Sequence, residues 1–135
     1  MRYTIEDNFF TFWFRFIYKY SYMLEIENYE SVKTIINRDY ETFSGLMLER
    51  YFKRVLIEHR AYTRIGGWWD RKGENEIVIV AENELNDEAT FFEVKRKVGN
   101  IDLELLEQKA AVFLRATGVF KGYSISCKGL SMDDM

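Results

Sequence analysis

FFEVKR, residues 91–96, is the stretch of sequence that decides the fold. Its aromatic and β-branched residues are typical of a strand. Residues i and i+2 of a strand share a face, so Glu93 and Lys95 are expected to point the same way. An acid beside an amine is the arrangement that metal-assisted phosphodiester cleavage needs. A cross-strand salt bridge is the structural alternative, and Glu-x-Lys alone does not distinguish the two.

The composition indicates one globular domain. A chain of 135 residues can bury one core, and 47% hydrophobic with 30% charged residues excludes disordered, collagen-like and coiled-coil classes. The single cysteine, Cys127, excludes an internal disulfide and a cysteine-rich zinc site. The sequence contains no run of about twenty apolar residues and no signal-peptide pattern. We therefore expect a cytoplasmic protein that is not associated with a membrane.

The net charge of −3 argues against a protein that coats nucleic acid through bulk charge. A local phosphate-binding patch remains open. Its candidate residues are Arg64, Arg71, Lys72, Lys95, Arg96 and Lys97. For charges scattered in this way, a solvated face is the more common outcome.

The amino-terminal third carries an unusual density of aromatic residues. Helical spacing relates Phe9, Trp13, Phe16, Ile17 and Tyr20, and this predicts an amphipathic helix. Further aromatic residues lie on the neighbouring face, so residues 1–40 are predicted to form an aromatic helical layer. The helix is expected either to be wedged between packed layers or to form a docking surface for another domain or subunit.

The helical pattern continues as far as His59. We predict one helix over Tyr29–Arg38 and another over Phe43–His59, with Thr42 as the N-cap of the second. Glu49 lies beside the apolar stripe of that second helix. It is expected either to face a site or to pair with Lys53 at i+4.

Beyond His59 the pattern changes to strands. Three runs separated by turn-forming residues predict an antiparallel meander, and they are Tyr62–Trp69, Glu76–Ala81 and Thr90–Arg96. A helix with Asp102 as its N-cap and Gly118 at its end should follow. The final strand is predicted over Val119–Cys127.

This order of elements, with an acid on the first helix and Glu-x-Lys on the third strand, resembles the PD-(D/E)XK nuclease core. Longer segments resemble a narrower family, the uncharacterised domain at the carboxyl end of prokaryotic AAA-type ATPases. These segments are residues 7–17 (DNFFTFWFRFI), 40–49 (YETFSGLMLE), 62–77 (YTRIGGWWDRKGENEI), 91–96 (FFEVKR) and 129–135 (GLSMDDM). The resemblance implies a single α/β domain with a mixed sheet of about four strands flanked by helices. Residues 41–135 would form its nuclease-like core.

The resemblance also implies roles for individual residues. Glu49 would be the helix-borne acid, Glu93 the metal-binding acid of the third strand, and Lys95 the catalytic lysine. The implied ion is Mg²⁺, which is held mainly by carboxylate oxygens and water.

This chain departs from the pattern at position 78. Related sequences read Asn-Glu-Ile-Asp in the second strand, whereas this chain reads Asn75-Glu76-Ile77-Val78. Valine cannot coordinate a metal ion, so weak or absent Mg²⁺ binding is expected. Glu76 shares the strand face of Val78 but is displaced by roughly 6.6 Å, so it could replace the missing ligand only in part.

Three functions follow as hypotheses. The first is a catalytically weak or inactive nuclease-like domain that binds nucleic acid or mediates contacts for an AAA-type ATPase. The second is an active Mg²⁺-dependent DNA endonuclease using Glu49, Glu93, Lys95 and Glu76. The third is a homo-oligomerisation module built on the aromatic segment. The chain has no Gly-x-x-x-x-Gly-Lys-Ser/Thr loop and hence no ATP site of this type. The resemblance implies an ATPase domain upstream or in trans.

Overall fold

The structure, a computed structural model, describes residues 8–135, and the side chains from residue 9 onward. Residues 1–7, which include Asp7 of the aromatic segment, lie outside this range. The chain divides into two compact units, one ending at Met47 and the other comprising Leu48–Met135. Among the described residues, no helix is long and apolar enough to cross a membrane.

Helices make up the described part of the first unit. Helix α1 covers Asn8–Phe12, a π-helical segment covers Trp13–Tyr18, and α2 covers Ser21–Glu25. Helix α3 is continuous over Tyr29–Glu58 and enters the second unit. The predicted break before an N-cap at Thr42 is wrong, because α3 continues through residues 39–42, which contain no glycine or proline that would stop a helix.

The first unit has a small aromatic core around Phe16. The Phe16 side chain is fully buried, with ring centroids 5.0 Å from Phe12 and 5.3 Å from Phe43. In contrast, Phe9 is 66% exposed and Trp13 is 44% exposed. The expectation of a helix wedged between layers is therefore wrong for these two residues. A π-helix bonds i to i+5, so positions spaced for a 3.6-residue turn no longer share one face.

The second unit is a mixed α/β structure with one four-stranded sheet flanked by helices. The strands are β1 (Arg64–Trp69), β2 (Glu76–Asn83), β3 (Glu88–Val94) and β4 (Ser124–Leu130). They are ordered β1-β2-β3-β4, with antiparallel pairs except for the parallel β3–β4 pair. The predicted meander is confirmed. Its connection to β4 runs through helix α4 (Leu103–Thr117), as parallel pairing requires a crossover.

Six predicted strand boundaries differ from the structure, and two of them are informative. Strand β3 ends at Val94 rather than Arg96, and β4 begins at Ser124 rather than Val119. The second error has a local cause, since Gly118, Phe120 and Gly122 all have positive φ and form a turn. The caps of α4 agree with prediction, because Asp102 accepts a hydrogen bond from the Leu105 N–H at 3.0 Å and Gly118 is left-handed.

A bulge in β2 sets which residues face each helix. Gly66 pairs with Val80 and Trp68 pairs with Ile77, so two steps along β1 match three along β2. Val78 and Ile79 consequently lie on the same face, towards the part of α3 that begins at Leu48. The core on that side comprises Leu48, Phe52, Ile79, Ala81, Phe92 and Val94. The core towards α4 comprises Ile77, Val80, Phe91, Leu106, Ala110 and Phe113.

Candidate functional site

Strands β2 and β3 separate at one end of the sheet and leave a cavity between them. Their pairing runs from Asn83–Glu88 to Ile79–Phe92 and stops there, although both strands continue. The resulting fork cavity has a volume of about 160 Å³. It is lined by Glu49, Glu76, Ile77, Val78, Phe92, Glu93, Val94, Lys95, Leu106 and Lys109. The fold thus brings Glu49, Glu76, Glu93 and Lys95, which are far apart in sequence, around Val78.

Glu93 is tied to the start of α4. Its Oε2 atom accepts a hydrogen bond from the Asp102 backbone N–H at 2.8 Å, and Asp102 is the N-cap of that helix. The positive end of the helix dipole stabilises a carboxylate at this position. Glu93 therefore has a structural partner, and part of its capacity as a ligand is already used.

Lys95 lies just beyond β3 on a segment that the carboxyl terminus supports. The Lys95 N–H donates to the Leu130 carbonyl at 3.0 Å, and the Met132 N–H donates to the Arg96 carbonyl at 3.3 Å. The turn after β4 is closed by a capping box between buried Ser131 and Asp134. The GLSMDD segment thereby holds the backbone of residues 95–96 in place.

Glu49 is half-buried in this cavity, and its pKa is raised. Burial is the main cause, because it disfavours the charged carboxylate, and the nearby Glu76 carboxylate adds to it. The ammonium groups of Lys53 and Lys95 act in the opposite direction. Glu49 therefore lines the cavity and also lies within electrostatic reach of Lys53.

The sequence reasoning missed Lys109. This lysine is on α4, lines the fork cavity and is partly buried. It lies between the buried positions Leu106 and Ala110, at the border of the apolar face of the helix. A charge beside an apolar stripe was the signal that singled out Glu49, and it applies equally here.

The fork cavity does not fit a divalent metal ion. Val78 puts a hydrocarbon where the resemblance implies a carboxylate, and Glu93 is already hydrogen-bonded to the backbone. Within residues 8–135, no three His, Cys, Asp or Glu side chains lie close enough together to hold a metal. No chemical step through a metal follows from this arrangement. Weak or absent Mg²⁺ binding stays a prediction, and so does the binding of nucleic acid.

The predicted basic patch is brought together only in part. Arg71 and Lys72 lie in the turn between β1 and β2, at the sheet end where Lys95, Arg96 and Lys97 leave β3. Arg64 lies at the other end of β1, roughly 17 Å away along a six-residue strand. There its Nε atom is 3.9 Å from a carboxylate oxygen of Glu82. Arg64 is thus separate from the others.

Comparison with known proteins places the chain in a family. Residues 13–111, well over half of the chain, match the model of DUF234, described as archaeal and bacterial proteins of unknown function. The chain belongs to this family. It is also 37% identical over 105 residues to an uncharacterised protein of Methanocaldococcus jannaschii, covering 71% of this chain. The chain spans 23% of the length of that relative. No solved structure matches.

Proposed function

We propose that this protein is a nuclease-like domain that has lost metal-dependent catalysis and binds nucleic acid at the fork cavity. The single observation that carries the proposal is the position of Val78. It lies among Glu49, Glu76, Glu93 and Lys95, where the PD-(D/E)XK resemblance implies a metal ligand. A site that keeps its cations but lacks a metal ligand can hold a phosphate without cleaving it.

The basic side chains at the fork, which share the cavity with three carboxylates, support this binding role. Lys95 and Lys109 line the cavity, and Arg71 and Lys72 are exposed in the turn at the same end of the sheet. Lysine and arginine contacts to phosphate supply most of the affinity in sequence-independent binding. The cavity volume of about 160 Å³ leaves room for a phosphate group.

The setting of the domain is part of the same proposal. The chain spans less than a quarter of its archaeal relative, and this supports a longer protein in which the domain is one component. We propose that the remaining component is an AAA-type ATPase, as the sequence resemblance implies. Pull-down between the separately expressed parts of the longer protein would test the contact, and no association at micromolar concentrations would contradict it.

Binding can be tested by fluorescence anisotropy with labelled duplex and single-stranded DNA at low and moderate salt. Lys95→Ala and Lys109→Ala should each weaken binding and lower the slope of log K against log salt by about 1. For duplex DNA, Lys121→Ala is the matched control, because Lys121 is exposed in the turn before β4 at the opposite end of the sheet. Equal losses in all three variants would contradict binding at the fork.

Loss of catalysis is tested by restoring the missing carboxylate. Wild-type protein should not nick plasmid DNA with Mg²⁺ or Mn²⁺, whereas Val78→Asp should gain Mn²⁺ binding measurable by calorimetry. Val78→Asn has the same size without the charge and should gain none. If the wild type nicks DNA and Lys95→Ala abolishes the nicking, the protein is instead an active endonuclease using Glu49, Glu93, Lys95 and Glu76.

A contact role is favoured by a separate observation in the first unit. Phe9, Phe10, Trp13, Phe14 and Tyr18 are each between 44% and 66% exposed. Clustered apolar surface of this kind usually marks an interface. Self-association is the version that is simplest to test, by sedimentation over a range of concentrations. Trp13→Ser with Phe14→Ser should dissociate any oligomer, and a wild-type monomer at all concentrations would exclude self-association.

A further inference from the structure

A second and larger cavity lies on the α4 side of the sheet. It has a volume of about 510 Å³ and is bounded by β1, β2, the end of α4 and the turn before β4. Small-molecule sites usually measure roughly 300–1,000 Å³. None of its lining residues lines the fork cavity. We call it the aromatic cavity, after Phe113, Phe120 and Tyr123 in its wall.

The aromatic wall is held at the cost of backbone strain. Phe120 has a φ of 62°, a left-handed conformation that costs a residue with a side chain roughly 1–2 kcal/mol. Its ring centroid is 5.1 Å from that of Tyr123 and 5.8 Å from that of Phe113. These contacts offset the strain and fix the Phe120 ring in the cavity wall, tilted by 31° to Tyr123 and by 39° to Phe113. Strain of this kind concentrates at binding sites.

The polar groups of the aromatic cavity are few, and they include a largely buried acid. The Glu82 side chain is only 13% exposed, and its Oε2 atom accepts a hydrogen bond from the Tyr123 hydroxyl at 2.9 Å. This bond raises the pKa of Tyr123 to about 12. A carboxylate has about four lone-pair sites. Glu82 lines the cavity and therefore retains acceptor capacity for a ligand there.

A cation stands at the rim of the same cavity. Arg64 has an 81% exposed side chain, and its Nε atom is 3.9 Å from Oε1 of Glu82. That separation is too long for a hydrogen bond. The guanidinium can therefore reorient towards an incoming anion at little energetic cost, and it offers two parallel N–H donors to a phosphate.

Gly66 leaves the β1 wall of the cavity open. It pairs with Val80, which faces α4, and a Cβ atom added at Gly66 would meet nothing within 4 Å. Glycine is disfavoured within strands because it has no side chain to pack. Its presence here keeps space where other residues would fill the cavity.

We propose that the aromatic cavity binds a nucleoside phosphate, with guanine preferred over adenine. The base would stack on the ring of Phe120, and aromatic side chains stack on bases of every type. Guanine presents N1–H and N2–H donors side by side to the Glu82 carboxylate, whereas adenine presents a lone pair at N1 that the carboxylate repels. Arg64 would receive the phosphate. The ligand is either a free nucleotide or the terminal nucleotide of a single strand.

Calorimetric titration of the full chain with GMP, AMP and guanosine tests this assignment. GMP should bind at least tenfold more tightly than AMP. Glu82→Gln and Gly66→Leu should each weaken GMP binding at least tenfold, the first by removing the charged acceptor and the second by filling the cavity. Arg64→Ala should weaken GMP binding but leave guanosine binding unchanged.

Matched variants distinguish effects at the aromatic cavity from the general effects of added bulk or a lost charge. Gly99→Leu adds the same bulk where a Cβ would also meet nothing, and Glu74→Gln removes an exposed carboxylate at the other end of the sheet. Both should bind GMP like the wild type. Gly66→Leu keeps the test valid if Glu82→Gln fails to fold. GMP affinity that Gly66→Leu and Arg64→Ala leave unchanged would overturn the proposal.

The source of the ligand is distinguished by a second titration, with a short single strand ending in dG. Competition between this strand and GMP would place a strand end in the cavity, and binding of GMP alone would identify a free nucleotide. If neither binds at millimolar concentration, the proposal is wrong. Because the fork cavity shares no lining residue with the aromatic cavity, its affinity for duplex DNA should be the same in Gly66→Leu.

Discussion

The fork cavity and the aromatic cavity have opposite chemical linings. The fork cavity is surrounded by charged side chains and has an apolar residue, Val78, where the resemblance implies a charge. The aromatic cavity is walled by rings and has a nearly buried charge, Glu82, where packing alone would favour an apolar residue. A motif search finds the first cavity, because its residues resemble a known pattern. Only the fold reveals the second, since its residues form no motif in the sequence.

The largest loss of stability is expected from removing a buried ring that packs against the wall of the aromatic cavity. Phe91 is fully buried, and its ring centroid lies 5.4 Å from that of Phe113 and 6.4 Å from that of Phe120. Phe91→Ala should lower the free energy of unfolding by about 3–5 kcal/mol, measured by urea denaturation. Trp69→Ala, at a site that is 73% exposed, should cost less than about 0.5 kcal/mol. Similar losses in both variants would contradict the assigned core.

An intermediate loss of stability is expected when a carboxylate is introduced into the fork cavity and no metal ion is present. Val78 packs against the core on the α3 side, near three glutamates. In a chelating buffer, Val78→Asp should therefore lower the free energy of unfolding by about 1–3 kcal/mol, because a carboxylate is desolvated beside like charges. Val78→Asn should lose less. Mn²⁺ should recover part of the loss in Val78→Asp alone, since an ion that binds only the folded state stabilises it. A metal effect equal in both variants would show that the fork is not a latent metal site.

A smaller loss of stability is expected from a change at the N-cap of α4, the helix that contributes to both cavities. Asp102 caps α4, and Asp102→Ala should cost about 1 kcal/mol in denaturant titrations, because the Leu105 N–H loses its acceptor. Asp102→Asn keeps an acceptor oxygen and should stay within a few tenths of a kcal/mol of the wild type. An equal loss in both variants would imply that the charge, rather than the hydrogen bond, stabilises this end of the helix.

The smallest effect is expected from Glu49, and it should depend on pH. Its pKa is raised in the folded state, so the protonated form is favoured by folding and stability declines as pH rises through the folded pKa. Glu49→Gln removes this penalty. The variant should melt slightly above the wild type at pH 7 and equally with it below the ordinary carboxyl pKa. A variant that melts below the wild type at pH 7 would show that Lys53 and Lys95 outweigh burial.

Local patterns in the sequence predicted much of the second unit. The hairpin at residues 70–73, the caps at Asp102 and Gly118 and the antiparallel meander each depend on neighbouring residues, and all three are present. Glu49, Glu76, Glu93 and Lys95 could be grouped because they match a motif. Their meeting in one cavity could not be derived from spacing, since it requires the fork between β2 and β3.

The errors arose where a local signal lacked its tertiary context. Thr42 is a good N-cap residue, but α3 runs through it without interruption. The aromatic spacing after Phe9 assumed an α-helix, and the π-helical segment changes which side chains are buried. The sequence did not predict that Glu82 and Arg64 lie opposite each other, because their pairing depends on the bulge that shifts the register between β1 and β2.

The bulge in β2 makes the strand intolerant of a change in length. Glu76 and Val78 lie in the fork cavity, whereas Val80 and Glu82 lie in the aromatic cavity on the other face. Deleting Val78 or Ile79 would remove the bulge, so that successive side chains of β2 would alternate regularly between the two faces of the sheet. The residues on one side of the deletion would then point to the opposite face, and one cavity would lose its β2 side chains. Homologues that differ by one residue between positions 76 and 82 should therefore conserve at most one cavity. Insertions and deletions in the family are expected in the turns, outside this strand.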